Sequence, residues 1–148
     1  MLPKIAMTDA PDDDAISTLS RLITQFNEVG SARPNDFRPL AIFLSNPETG
    51  EILGGLWAWT SFSFLHIDLL YIPESMRRIG LGSRLVTQAE QEAPRRDCRG
   101  AWLDTFSFQA RGFYERLGYT VFGTIEDYPP GHSRFFLKKS LQATESAS

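Results

Sequence analysis

The run Leu70-Tyr71-Ile72-Pro73-Glu74-Ser75-Met76-Arg77-Arg78-Ile79-Gly80-Leu81-Gly82 constrains the fold of this chain more than any other. An apolar segment stops at a proline. A short polar turn follows, and two arginines and a Gly-x-Gly step lead into an amphipathic helix. A strand that passes through such a turn into a helix and on to another strand forms a crossover, and parallel crossovers are right-handed in nearly all cases. The turn also has a chemistry. The first amides of a helix have no intrahelical acceptor, and the helix dipole adds partial positive charge at the same end, so this turn suits a phosphate-bearing ligand.

The segments on either side supply the rest of the sheet. Behind Asp12-Asp13-Asp14, whose carboxylates suit a helix start, Ile16, Leu19, Leu22, Ile23 and Phe26 recur at helical spacing, and Gly30 is placed to end the helix. Lys4 to Met7 reads as a short first strand. Arg38 to Ser45, Glu51 to Thr60 and Phe64 to Ile72 read as three antiparallel strands, turning at Asn46-Pro47-Glu48-Thr49-Gly50 and at Ser61 to Ser63. After the glycines, Leu81, Leu85, Val86, Ala89 and Ala93 mark one helical face that Pro94 closes. Arg95, Arg96 and Arg99 follow and suit the negative end of that helix. Gly100 to Phe108 is a strand, and Ser107 is placed to cap a helix in which Ala110, Phe113, Tyr114 and Leu117 share a face before Gly118. Tyr119 to Asp127 and Ser133 to Leu141 are strands joined through Pro129-Pro130-Gly131. The expectation is one α/β (α+β) domain over residues 1–141. Its sheet is mixed and mostly antiparallel, with one parallel βαβ crossover and flanking helices. Residues 142–148, polar and small, are expected as a disordered tail.

Composition narrows the function classes. The chain has 148 residues, 42% of them apolar and 22% charged, which is the profile of a globular domain with a core. A net charge of −3 argues against a nonspecific grip on nucleic acid. The single cysteine, Cys98, forms no internal disulfide and rules out a zinc knuckle; it reads as a small residue near a helix-to-strand turn. No apolar run approaches the length of a membrane span, and Met1 to Ile5 lacks a signal-peptide core. A cytoplasmic protein without metal and without membrane or nucleic-acid partners is expected.

Three phosphate-binding patterns compete for the glycine turn. A Walker loop needs Gly-Lys-Ser/Thr, which does not occur. A Rossmann fingerprint needs a third glycine where Leu85 stands, and it needs parallel strands upstream. What remains is Arg77-x-x-Gly80-x-Gly82. With it, the chain resembles the GNAT superfamily of acetyl-CoA-dependent N-acetyltransferases, whose pyrophosphate loop reads Q/R-x-x-G-x-G/A. The later segment Ser107-Phe108-Gln109-Ala110-Arg111-Gly112-Phe113-Tyr114-Glu115-Arg116-Leu117-Gly118-Tyr119 resembles that family's late helix, Asn-x-x-Ala-x-x-Phe-Tyr-x-x-x-Gly-Phe.

The resemblance implies acetyl-CoA as cosubstrate and an amine acceptor, a small molecule or a protein amine, acetylated by direct attack on the thioester. Arg77, Arg78, Ile79, Gly80, Leu81, Gly82 and Ser83 would hold the pyrophosphate. Leu70, Tyr71 and Ile72 would pair with the pantetheine arm along a bulged, splayed strand, and a backbone N–H near Leu70 or Ile72 would face the oxyanion. Tyr114 would protonate the leaving sulfur. Asp68 is the first candidate for base or amine anchor. His66 is the second, on the same face by strand alternation. Asp104 follows, with Glu126 and Asp127 as possible anchors for a cationic substrate. Ser107 stands where the family has asparagine, with Gln109 able to supply the missing amide. Trp57, Trp59, Phe62 and Phe64 suit core packing or a subunit interface, a homodimer included, better than a binding cage. Tyr128 and His132 flank a turn that borders the acceptor in the family. The competing class is a non-catalytic acyl-CoA-binding regulatory module.

Overall fold

A computed structural model of the chain describes residues 1–141; the expected tail at 142–148 lies outside them. The described chain forms two compact units, Met1–Asn35 and the remainder from Asp36. In the first, α1 (Asp13–Ser31) begins behind Asp12 with Asp13 and Asp14 in its first turn. Gly30 does not end it. The helix runs past, and Ala32 takes the left-handed conformation at its C-cap, with φ of 57°. The expected strand at Lys4 to Met7 is not formed. A strand exists through its ladder, and no register pairs this segment with another.

The second unit carries a six-stranded sheet: β1 (Arg38–Ser45), β2 (Ile52–Ser61), β3 (Phe64–Tyr71), β4 (Gly100–Phe106), β5 (Thr120–Glu126) and β6 (Ser133–Ser140). Its order is β1-β2-β3-β4-β6-β5. Each neighbouring pair is antiparallel except β3 and β4, which α2 (Leu81–Arg95) connects as the one parallel crossover. The mixed sheet with a single βαβ unit is therefore present as expected. A single 3₁₀ turn, Glu74–Met76, separates β3 from α2, and the short α3 (Arg111–Arg116) follows β4.

Alternation sets the two faces of the sheet. Leu56 and Ala58 of β2, Leu65 and Ile67 of β3, Ala101 and Leu103 of β4 and Leu137 of β6 are buried with Leu85, Val86, Ala89 and Ala93 of α2. The apolar stripe read from the helix is thus its buried face. Tyr114, Phe113, Ala110 and Leu117 extend this core around α3. Trp57, Trp59, His66 and Trp102 alternate with these residues and occupy the opposite face, so the tryptophans are not core residues of the helix side. Arg96 departs from its expected role at the helix dipole. Its side chain is 8% exposed and binds Glu92 at 3.0 Å, while Nη1 donates to the Arg38 and Pro39 carbonyls and to Thr60 Oγ1, each at 3.2 Å. It fastens the end of α2 to β1 and β2.

Candidate active site

The site begins where the parallel ladder stops. β3 and β4 pair from Phe64↔Gly100 to Ile67↔Leu103 and no further. Beyond that point β3 continues against β2 as far as Gly55↔Tyr71, and β4 continues against β6 as far as Phe106↔Arg134. The two strands therefore part, and their facing edges carry backbone groups without a ladder partner. A bulge coincides with the split. Trp57 pairs with Leu69 and Ala58 with Ile67, which leaves Asp68 as the extra residue of β3. Such a residue bends its strand and re-aims the side chains around it.

The split opens a cleft of about 1100 Å³. β3 from Ile67 to Tyr71 and β4 from Asp104 to Phe106 form its walls, together with Ile72, Gln109, Ala110, Phe113 and Tyr114. Arg77, Arg78, Gly80, Leu81, Gly82 and Ser83 line it at the start of α2. Ile79, Ser107 and His66, all expected at the site from the sequence, are not in this wall. Gly80 sits at the helix N-cap in the left-handed region, with φ of 85°, and no side chain caps the helix. The first amide to bond back is Arg84, to the Gly80 carbonyl at 3.0 Å, so the amides of Leu81, Gly82 and Ser83 precede the intrahelical ladder. At Gly82 a Cβ would come within 3.2 Å of the Phe113 ring. A bare, tight helix start bordered by arginines fits a pyrophosphate. Arg77 spends its Nε on the Ile72 carbonyl at 2.7 Å, which ties the loop to the end of β3.

Tyr114 is buried, and its hydroxyl makes no hydrogen bond among the described residues. Burial, with a smaller effect from the charge of Asp104, pushes its pKa up to about 12. Asp104 is occupied by Arg134, whose Nε and Nη2 approach Oδ1 at 2.8 and 2.6 Å. Arg134 also donates to the Tyr128 hydroxyl at 2.7 Å and lies over the Phe106, Tyr128 and Phe136 rings. The Asp127 carboxylate accepts the Gly131 amide at 2.9 Å and holds its own turn. Neither Asp127 nor Glu126 lines the cleft. Asp68 does, with a side chain 42% exposed; among the described residues no lysine or arginine pairs with it, and its ring neighbour is His66, whose Nε2 lies 3.7 Å away.

A family model described as the Acetyltransferase (GNAT) family matches residues 9–119. The chain belongs to the GNAT acetyltransferase family. It is an acyltransferase, and named relatives agree. A blasticidin-S acetyltransferase of Streptomyces morookaense is 42% identical over 107 residues, 70% of this chain and 79% of the relative. An acetyltransferase of Agrobacterium fabrum is 32% identical over 133 residues, 90% of this chain and 96% of the relative. A crystal structure from Agrobacterium tumefaciens shares 31% identity with a TM-score of 0.86, covering 93% of this chain and 99% of that one.

Within this acetyltransferase, several residues read from sequence sit differently than expected. Ser107 does not cap α3, which begins at Arg111 behind Ala110 without a side-chain cap. Its hydroxyl instead accepts the Ser133 amide at 3.0 Å and ties the loop to β6. Gln109 turns its Oε1 to the Phe106 amide at 2.7 Å and the Thr105 hydroxyl at 3.1 Å, bracing the end of β4. His66 lies on the Asp68 side of β3, as alternation predicts, yet it is buried and outside the cleft wall. Spacing could not reveal Arg134, the partner of Asp104, because the pair forms across β4 and β6. Among the described residues no cluster of three or more His, Cys, Asp or Glu side chains is placed to hold a metal, and no helix is long and apolar enough to cross a membrane.

Proposed function

We propose that this acetyltransferase moves an acetyl group from acetyl-CoA to a primary amine of a small molecule, by direct attack while both are bound. The observation that carries this reading is the split between β3 and β4. It presents unpaired strand edge along Leu69 to Tyr71, a bare helix start at one end, and Tyr114 and Asp68 in the same cleft. Acetyl-CoA supplies an activated thioester carbonyl. The chain supplies the rest. Leu81, Gly82 and Ser83 amides with Arg77 and Arg78 hold the diphosphate. The free edge of β3 takes the pantetheine arm as an added strand, and an amide near Leu70 or Ile72 stabilises the oxyanion.

Asp68 receives the acceptor amine. An alkylammonium has a pKa of about 10, so the nucleophile must first lose a proton. Asp68 is the cleft carboxylate not held by an arginine, and it takes that proton directly or through water. Asp104 cannot compete while Arg134 neutralises it. Tyr114, neutral at physiological pH, gives its proton to the departing sulfur. The likeness to blasticidin-S acetyltransferase supports a cationic small molecule as acceptor, and blasticidin S is the first acceptor to try.

The test is release of free CoA thiol from acetyl-CoA against a panel of amines: blasticidin S, polyamines, aminoglycosides, amino acids and an N-terminal peptide. Amine-dependent thiol release with a small cationic acceptor is expected. Thiol release only with the peptide would overturn the small-molecule assignment. Binding of acetyl-CoA with no amine response across the panel would overturn the proposed transfer.

A further inference from the structure

We propose that His66 is a positioning residue: held between Trp59 and Trp102 in its Nε2–H form, it orients the Asp68 carboxylate toward the cleft. The proposal rests on Asp68 as the group that meets the amine. His66 precedes the bulge of β3 and is 6% exposed. Its ring lies 4.7 Å from the Trp59 ring and 3.9 Å from the Trp102 ring, on strands at either side. The indoles leave the imidazole little freedom. Its two nitrogens then have very different surroundings. Nδ1 is buried and meets no hydrogen-bond partner among the described residues. Nε2 faces Asp68 Oδ1 at 3.7 Å.

This asymmetry selects the tautomer. With the proton on Nδ1, a buried donor would have no acceptor in hydrogen-bond geometry, although the Trp102 backbone lies near the ring, and the Nε2 lone pair would face a carboxylate. With the proton on Nε2, the donor faces the carboxylate and only a lone pair is left unpaired. The charged groups near His66 are Asp68 on its own strand and Asp104 on β4. Burial is the largest influence and keeps the ring below its ordinary pKa, against the opposing pull of both carboxylates and of the Trp102 backbone toward the imidazolium. The ring is thus neutral at pH 7 and serves as a fixed donor. Asp68 is exposed enough to turn, and closing the 3.7 Å separation to a hydrogen bond sets the direction of its second oxygen.

The imidazole-nitrogen NMR shifts of the wild-type protein give a direct test. A neutral Nε2–H ring at pH 7 is expected, with the preference weakened in Asp68→Ala. An Nδ1–H ring, or one indifferent to Asp68→Ala, overturns the proposal whatever the acceptor proves to be. Kinetics add a second test. His66→Leu should lower kcat/KM for the acceptor by about tenfold and leave the KM for acetyl-CoA unchanged, while His66→Gln, which keeps a donor near the Nε2 position, should recover most of it. Equal losses in Leu and Gln variants would reduce His66 to packing. Full activity in Asp68→Asn would instead remove Asp68 as the base, so the two failures separate.

Discussion

At Tyr114 the ionised form loses the hydration that would support it, and the nearby charge of Asp104 opposes a second anion. Both effects raise the pKa, to about 12, so the proton is present at every pH below that value and lost only above it. Tyr114→Phe should therefore lower kcat by about 10²-fold and leave the KM for acetyl-CoA within about a factor of two, as steady-state kinetics would show. The wild-type rate should show no alkaline loss attributable to Tyr114 between pH 7 and about pH 10. The position of Tyr114 was legible in the sequence, because Ala110, Phe113 and Tyr114 fall at helical spacing before Gly118. Its perturbed acidity was not, since desolvation depends on what α3 packs against.

The bare start of α2 is the element on which the proposed diphosphate site depends most directly. Gly80 reverses the chain with a positive φ, and Gly82 leaves room beside Phe113. Gly82→Val would push a branched side chain against that ring and narrow the approach to the first-turn amides. Calorimetric titration should show CoA affinity weakened by at least about tenfold, with kcat at saturating acetyl-CoA changed far less. A wild-type affinity in this variant would place the diphosphate elsewhere. Strand β3 is the other decisive element. Its apolar run predicts a strand, but the extra residue that makes Asp68 a bulge emerges only from the register with Trp57 and Ala58. The last turn of α2 teaches a similar lesson. Three arginines near a helix C-terminus suit its dipole, yet Arg96 is drawn under the sheet edge by carbonyls of β1 and the hydroxyl of Thr60.

Across the molecule, one partly buried network joins α2 to Tyr119 and to β6 on the same face of the sheet. Glu90 accepts the Tyr119 hydroxyl at 2.7 Å and Lys139 Nζ at 3.0 Å. Burial, followed by the charge of Glu90, holds Tyr119 above its ordinary pKa and so in its donor form. Glu90→Ala would leave a buried phenol and a partly buried ammonium unpaired. Urea unfolding should report a loss of about 2–4 kcal/mol, with acetyl-CoA affinity preserved in the folded fraction. The sequence by itself determined the strands from Arg38 onward, the α2 stripe, the glycine turn and the late helix. These are local signals: periodicity of side chains along one element, and the backbone freedom of glycine. The tertiary structure alone decided which carboxylate is free. Arg134 takes Asp104 across a strand pair, the bulge turns Asp68 into the cleft, and two tryptophans from flanking strands enclose His66. Charge pairing and desolvation act through space between distant segments, so no spacing along the chain records them.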